Sequence, residues 1–170
     1  LTPSSAVFLD RHSPAYMGSA IDFIAAPQML SLFLTDPAAC VRNGGAEGLA
    51  NLSPDNPVWV RFARAMGAFT GGAGRTLAAD VAAWPSPPSK VLDIAAGPGY
   101  FGIEIARAIP QARIVALDWK PVLDLTRENA TAAGVADRFS FIAGSAFDVD
   151  WGSDYDLIML PNFLHHFDIA

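Results

Sequence analysis

Apolar residues recur along this chain in two different rhythms. From Asn56 onward, Trp59, Phe62, Ala65, Met66 and Phe69 follow one another at spacings of three and four, the period of one helix face. Asn56 is placed to cap that helix and Pro57 to open it. Such a stripe predicts a buried apolar face. Gly71, Gly72 and Gly74 crowd the end of the stripe and are expected to stop the helix, with helical patterning resuming over residues 76–84. Earlier, residues 20–34 are helix-like but hold Pro27, so the helix should break or restart there. Asn43-Gly44-Gly45 reads as a turn.

After Pro85-Ser86-Pro87-Pro88-Ser89 the rhythm changes. The prolines deny the backbone its helical hydrogen bonds and favour an extended path, so the boundary between regions 1–84 and 90–170 is expected there. Residues 90–94, 113–117, 139–143 and 156–160 are short apolar runs with the character of strands. Residues 100–109 and 122–133 between them pattern as amphipathic helices, the second ending at Gly134. Continuous apolar strands alternating with helices predict an α/β fold: a Rossmann-like parallel sheet covered on both faces, preceded by a helical region.

Composition narrows the partners. Of 170 residues, 52% are hydrophobic and 16% charged, a balance that forms a core. A net charge of -6, with 11 basic residues scattered along the chain, offers no footprint for a phosphate backbone, so no nucleic acid partner is expected. Cys40 is the single cysteine and reads as a small buried thiol, which suits a reducing cytoplasm. No apolar run approaches the roughly 20 residues that span a bilayer, so no membrane partner is expected. The start at Leu1 without methionine and the stop soon after the fourth strand suggest a piece of a longer protein, expected to be poorly soluble or inactive by itself.

The chemistry concentrates in Val91-Leu92-Asp93-Ile94-Ala95-Ala96-Gly97-Pro98-Gly99-Tyr100-Phe101-Gly102. A strand must turn sharply into a helix here, and glycines let the turn form while a ligand approaches the backbone. Gly97, Gly99 and Gly102 satisfy G-x-G-x-x-G, and Asp118 follows where a dinucleotide fold keeps its ribose-binding acid, so the spacing alone leaves NAD and an oxidoreductase open. Asp93 points elsewhere. A carboxylate at a buried strand end is costly unless donors or a cation offset it, and S-adenosylmethionine supplies an ammonium and a sulfonium without phosphate. The competing reading has Asp93 accepting backbone N–H bonds within the loop. No Cys/His or carboxylate spacing suggests a metal site. His12, alone among polar residues, reads as surface.

The run Asp93-Ile94-Ala95-Ala96-Gly97-Pro98-Gly99, with Ile114-Val115-Ala116-Leu117-Asp118-Trp119, Gly144-Ser145-Ala146-Phe147 and Asn162-Phe163-Leu164-His165-His166-Phe167, resembles the successive motifs of class I S-adenosylmethionine-dependent methyltransferases. More narrowly it is similar to the O-methyltransferases that include plant caffeic acid and hydroxyindole enzymes and bacterial relatives. Ser13-Pro14-Ala15-Tyr16-Met17-Gly18, Val41-Arg42-Asn43-Gly44-Gly45 and Asn56-Pro57-Val58-Trp59 extend the likeness upstream to the bacterial branch.

The resemblance implies methyl transfer from S-adenosylmethionine to a hydroxyl of a small, aromatic molecule. A relative that binds the cofactor and transfers nothing is the remaining alternative. By resemblance, Gly97 and Gly99 flank the methionine part of the cofactor and Asp93 supports that loop. Asp118 takes the ribose hydroxyls, Trp119 packs on adenine, and Ser145, Ala146 and Phe147 border the adenine ring. The family often carries glycine where Ala95 and Ala96 stand, and an acid where Ser145 stands. His165 aligns with the family's catalytic base, while His166 is expected to do no more than cap the next helix. Phe62 and Met66 face the substrate, and region 1–84 leads to a winged-helix part through which the complete protein forms a homodimer.

Overall fold

The computed structural model describes residues 2–13, 15–44 and 53–164, the side chains of Gln28, Leu32 and Phe33 excepted. Internal packing divides the chain into two compact units, residues 1–68 and 69–170.

The first unit holds α1 (Pro3–Phe8), α2 (Ser19–Ile24), α3 (Pro27–Leu34), α4 (Pro37–Arg42) and the beginning of α5 (Pro57–Ala82). Pro27 restarts the helical run at a first-turn position, where its missing N–H costs nothing. Asp36 caps α4 by accepting from the Ala39 amide at 2.8 Å. Asn56 accepts from the Val58 amide at 3.0 Å, so the predicted cap forms. Ala26, Met29 and Val58 make the small core, with Phe23 and Trp59 against it. Several apolar side chains of this unit remain exposed, Val41 at 81% foremost. Cys40 is partly exposed rather than buried. His12 is on the surface, its Nδ1 3.1 Å from an Asp10 carboxylate oxygen.

The glycine run does not stop α5, which continues unbroken to Ala82. Gly74 has a packing reason: a Cβ there would sit 3.3 Å from the Tyr100 carbonyl oxygen, so glycine lets α5 approach the start of the following helix. A helix packed on a core can carry glycines that cost roughly 1 kcal/mol each in isolation. The division between units accordingly falls inside α5 rather than at the proline segment, because Ala78 and Val81 share a core with Val91, Ile103 and Ile105.

The second unit is built on β1 (Lys90–Ile94), α6 (Tyr100–Ala108), β2 (Arg113–Asp118), α7 (Lys120–Ala132), β3 (Phe139–Ala143) and β4 (Leu157–Met159). All strand pairs are parallel, in the order β3-β2-β1-β4. Val91, Leu92, Asp93 and Ile94 are all buried, as expected of a strand covered on both faces. Successive strands step from β1 to β2 to β3, and β4 then returns to the other side of β1. That reversal creates a switch point beside β1, and open α/β sheets bind ligands outside the carboxyl ends of the strands at such a point.

Candidate functional site

The carboxyl end of β1 runs into a loop with an unusual backbone. Ala95, Gly97 and Gly99 all have positive φ, at 55°, 56° and 80°. Ala95 thus occupies a left-handed conformation that glycine would adopt without steric cost, at a position where the resembled family often has glycine. Gly99 is the N-cap of α6, and a Cβ there would lie 2.5 Å from the Thr126 methyl carbon, so conformation and space both demand glycine.

The loop's polar groups are nearly all engaged. The Ala96 amide donates to the Leu117 carbonyl at 3.2 Å, and the Gly99 amide to the Ala96 carbonyl at 2.9 Å. The Gly97 amide donates to the Asp118 carboxylate at 2.8 Å, while the other Asp118 oxygen accepts from the Trp119 amide at 2.7 Å. From α7, Thr126 donates its hydroxyl to the Gly97 carbonyl at 2.7 Å, and Asn129 donates its amide to the Pro98 carbonyl at 2.8 Å.

Two carboxylates lie at this end of the sheet in different circumstances. Asp93 is 1% exposed, in register with Ala116 on β2 and Met159 on β4, and neither of its oxygens has a hydrogen-bond partner among the described residues. The reading in which loop amides satisfy it therefore does not describe the structure. Burial pushes its carboxyl up to about 7; the Gly102 amide, near but short of bonding geometry, pulls the other way, and the Asp118 charge pushes further. Asp118 is partly buried, and burial raises it to about 6 against the Gly97 and Trp119 amides, which favour its charged form.

The structure brings Asp93, Gly97, Gly99, Asp118 and Trp119 to one edge of the sheet, at the ends of β1 and β2. Ser145, Ala146 and Phe147 follow β3, whose last residue, Ala143, is in register with Asp118. The Ser145 hydroxyl accepts from the Phe147 amide at 3.2 Å. Phe147 is 73% exposed and stacks on Phe163, which follows β4, with ring centroids 6.2 Å apart. His165 and His166 lie outside the described residues. Phe62 belongs to the first unit, where its ring meets Phe23 edge-on at 5.1 Å; Met66 is partly buried in the same unit, and Phe69 at the end of the stripe is half exposed.

Thr126 and Asn129 escaped the sequence reading. Their signal was present but faint: Thr126 is a polar residue on the face marked by Val122, Leu123 and Ala130, and Asn129 stands one helical turn beyond it. Among the described residues no cluster of His, Cys, Asp and Glu could hold a metal ion, and no helix is long and apolar enough to cross a membrane.

Residues 91–170 match the family described as "Methyltransferase domain". A structure of a candidate O-methyltransferase from Nostoc punctiforme PCC 73102 superposes with a TM-score of 0.89 at 48% identity, covering 99% of this chain and 51% of that one. The mitomycin 7-O-methyltransferase MmcR superposes with a TM-score of 0.78 at 27% identity, covering 99% of this chain and 50% of that one. A demethylmenaquinone methyltransferase of Deinococcus radiodurans is 45% identical over 53 residues, 31% of this chain and 22% of that protein. The chain thus spans about half the length of these solved structures and less of the curated relative. Residues 91–170 thus match a methyltransferase domain, and the strand order and acid-flanked glycine loop belong to a fold that the chain shares with solved O-methyltransferase structures.

Proposed function

We propose that the protein to which this chain belongs binds S-adenosylmethionine at the glycine loop and transfers its methyl group to a hydroxyl oxygen of a small aromatic acceptor. The observation that carries the reading is Asp93, a buried carboxylate without a hydrogen-bond partner among the described residues, close enough to Asp118 for the two charges to disfavour each other. A cationic ligand offsets both charges. A dinucleotide would instead bring two phosphates toward acids of the same sign, which counts against the oxidoreductase reading. The α6 N-terminus, whose Gly99 cap offers no side-chain acceptor, leaves first-turn amides for the ligand's carboxylate. Each Asp118 oxygen holds one amide and retains a lone pair for a ribose hydroxyl. Trp119 is assigned to the adenine face, and Ser145, Ala146 and Phe147 to its border.

S-adenosylmethionine, held by the glycine loop, Asp93 and Asp118, would supply an electrophilic methyl group. The acceptor oxygen would take that methyl group with the thioether as leaving group, and its hydroxyl proton would have to pass to a base. A phenol with pKa near 10 is mostly neutral at pH 7, so a base raises its reactivity. His165, which comes shortly after β4 in the sequence, is assigned that role by the family resemblance. On the same ground Phe62 and Met66 are proposed to contact the acceptor, and the complete protein to be a cytoplasmic homodimer. The O-methyltransferase names of the two structures above support a hydroxyl acceptor.

Titrating the full-length protein with isotope-labelled S-adenosylmethionine, and separately with NADH followed by its fluorescence, tests the cofactor. Binding of NADH alone would overturn the reading. Retained S-adenosylmethionine affinity with no methylated product across a panel of phenols would leave a binding protein that does not transfer. His165→Ala is expected to lower kcat by roughly 10²- to 10⁴-fold while cofactor affinity stays within a few fold. A variant with the wild-type rate and pH profile would remove His165 from the mechanism.

A further inference from the structure

The glycine loop has a backbone hydrogen bond within itself, from the Gly99 amide to the Ala96 carbonyl, and leans on its neighbours for the rest. Three of the five residues from Ala95 to Gly99 are in left-handed backbone conformations, and Pro98 contributes no N–H. The peptide joining Gly97 to Pro98 therefore has a carbonyl to satisfy and no donor with which to anchor itself. The next carbonyl, Pro98's, comes immediately before the start of α6. Both are taken by side chains from one face of α7: the Thr126 hydroxyl at 2.7 Å and the Asn129 amide at 2.8 Å. Thr126 is 0% exposed, and its methyl carbon occupies the space a Cβ on Gly99 would need. The hydroxyl also lies 3.1 Å from the Val122 carbonyl, which without the loop would be its ordinary partner one turn back.

We propose that Thr126 and Asn129 are positioning residues that clamp the glycine loop to α7 and hold it in its ligand-binding form. The same β2–α7 segment carries Asp118, whose carboxylate takes the Gly97 amide from the other side of the residue's backbone. One segment thus fixes the Gly97 amide, the Gly97 carbonyl and the Pro98 carbonyl, while its acid is the group assigned to the cofactor's ribose. Loop geometry and ribose recognition are mechanically one piece. The clamp rests on the proposed cofactor reading for its function, but not for its existence as a constraint on the unliganded loop.

The test uses the full-length protein with Thr126→Val, which keeps the shape and removes the hydroxyl, Thr126→Ser, which keeps the hydroxyl and removes the methyl, and Asn129→Leu. Three quantities are read: S-adenosylmethionine affinity by calorimetry, hydrogen exchange at the Gly97 and Gly99 amides without ligand, and the midpoint of thermal unfolding. Thr126→Val is expected to weaken the cofactor roughly ten-fold and to speed exchange at both amides, as befits the loss of one buried hydrogen bond. In steady state the cofactor KM should rise while kcat at saturating cofactor changes little. Thr126→Ser should recover most of the affinity, and Asn129→Leu should move both readouts in the same direction by less.

Wild-type affinity and exchange in Thr126→Val would overturn the clamp. So would equal damage from Thr126→Ser, since that assigns the effect to methyl packing. Should Thr126→Val fail to fold, Asn129→Leu decides by the same two readouts, and no change there overturns the proposal. Absence of S-adenosylmethionine binding to the wild-type protein would sink the functional reading instead, and loop exchange would still judge the clamp.

Discussion

The two ends of β1 treat their acids in opposite ways. At the amino end, Asp156 accepts from the Ser89 amide at 2.8 Å, the Ser89 hydroxyl at 2.7 Å and the Lys90 amide at 2.9 Å, and these bonds, led by the Ser89 hydroxyl, hold its carboxyl below the usual carboxylate range. At the carboxyl end, Asp93 has no hydrogen-bond partner among the described residues, and burial drives its carboxyl upward. Asp156 staples the start of β4 to the start of β1. Asp93 is a buried acid that no described residue bonds, and in the proposed function a cationic ligand completes its surroundings.

The sharpest break in this comparison is Asp93→Asn. The unfolded chain loses the Asp93 proton near the ordinary carboxylate value of 3.8, whereas the folded chain keeps it up to about 7. The unfolded state therefore binds fewer protons between these values, and the stability of the unliganded wild-type protein should fall as pH rises through that window. The amide that replaces the carboxyl in the variant cannot ionise. Urea denaturation should find Asp93→Asn more stable than wild type above pH 7 by on the order of 2–4 kcal/mol at most, with the difference closing toward pH 4. Its cofactor affinity should be weaker at pH 8. A variant less stable than wild type at every pH would show that Asp93 has a structural partner.

Asp118 joins ligand chemistry to loop geometry at the same end of the sheet, because its carboxylate also holds the Gly97 amide. Asp118→Ala should weaken S-adenosylmethionine binding by about 1.5–3 kcal/mol, the range for charge-assisted hydrogen bonds. An unchanged dissociation constant by calorimetry would remove Asp118 from the site.

A smaller effect measures strain. Ala95 has φ 55°, so Ala95→Gly should relieve a left-handed alanine and raise stability by up to about 1 kcal/mol, part of the gain being lost to the greater freedom of glycine in the unfolded chain. A fall in the thermal midpoint would show that the Ala95 methyl is held by packing worth more than the strain.

The smallest effect is expected at the other end. Asp156→Asn should lower stability slightly near neutral pH and leave cofactor affinity untouched, because the side chain is exposed and remote from the loop's ligand-facing groups. Its contribution has the opposite pH sense to that of Asp93. A folded pKa below the unfolded value stabilises above about pH 4 and fades as pH falls through the lowered value. A stability difference that grew toward acid pH would contradict the staple.

Much of this architecture was legible in residue order. The strand–turn–helix alternation from Lys90 onward, the restart at Pro27, the cap at Asn56 and the acids flanking the glycine turn all follow from local rules of period, capping and turn chemistry. Motif similarity likewise pointed to the methyltransferase domain that residues 91–170 match. The glycines from Gly71 to Gly74 were misleading, because a breaker's local cost is set against packing that local rules do not see.

Burial and pairing were decided by the tertiary structure alone. Sequence placed Asp93 at a strand end, but whether loop amides satisfied it depended on where a loop with three left-handed residues directed its donors. Thr126 and Asn129 became relevant only when α7 packed beside the loop and put a hydroxyl and an amide against two carbonyls some thirty positions earlier in the chain. Periodicity specifies which face of a helix is apolar, because that depends on neighbours three and four residues away. It cannot specify which distant carbonyl a polar residue on that face will meet, because that contact exists only after the sheet has set the distance between β1 and α7.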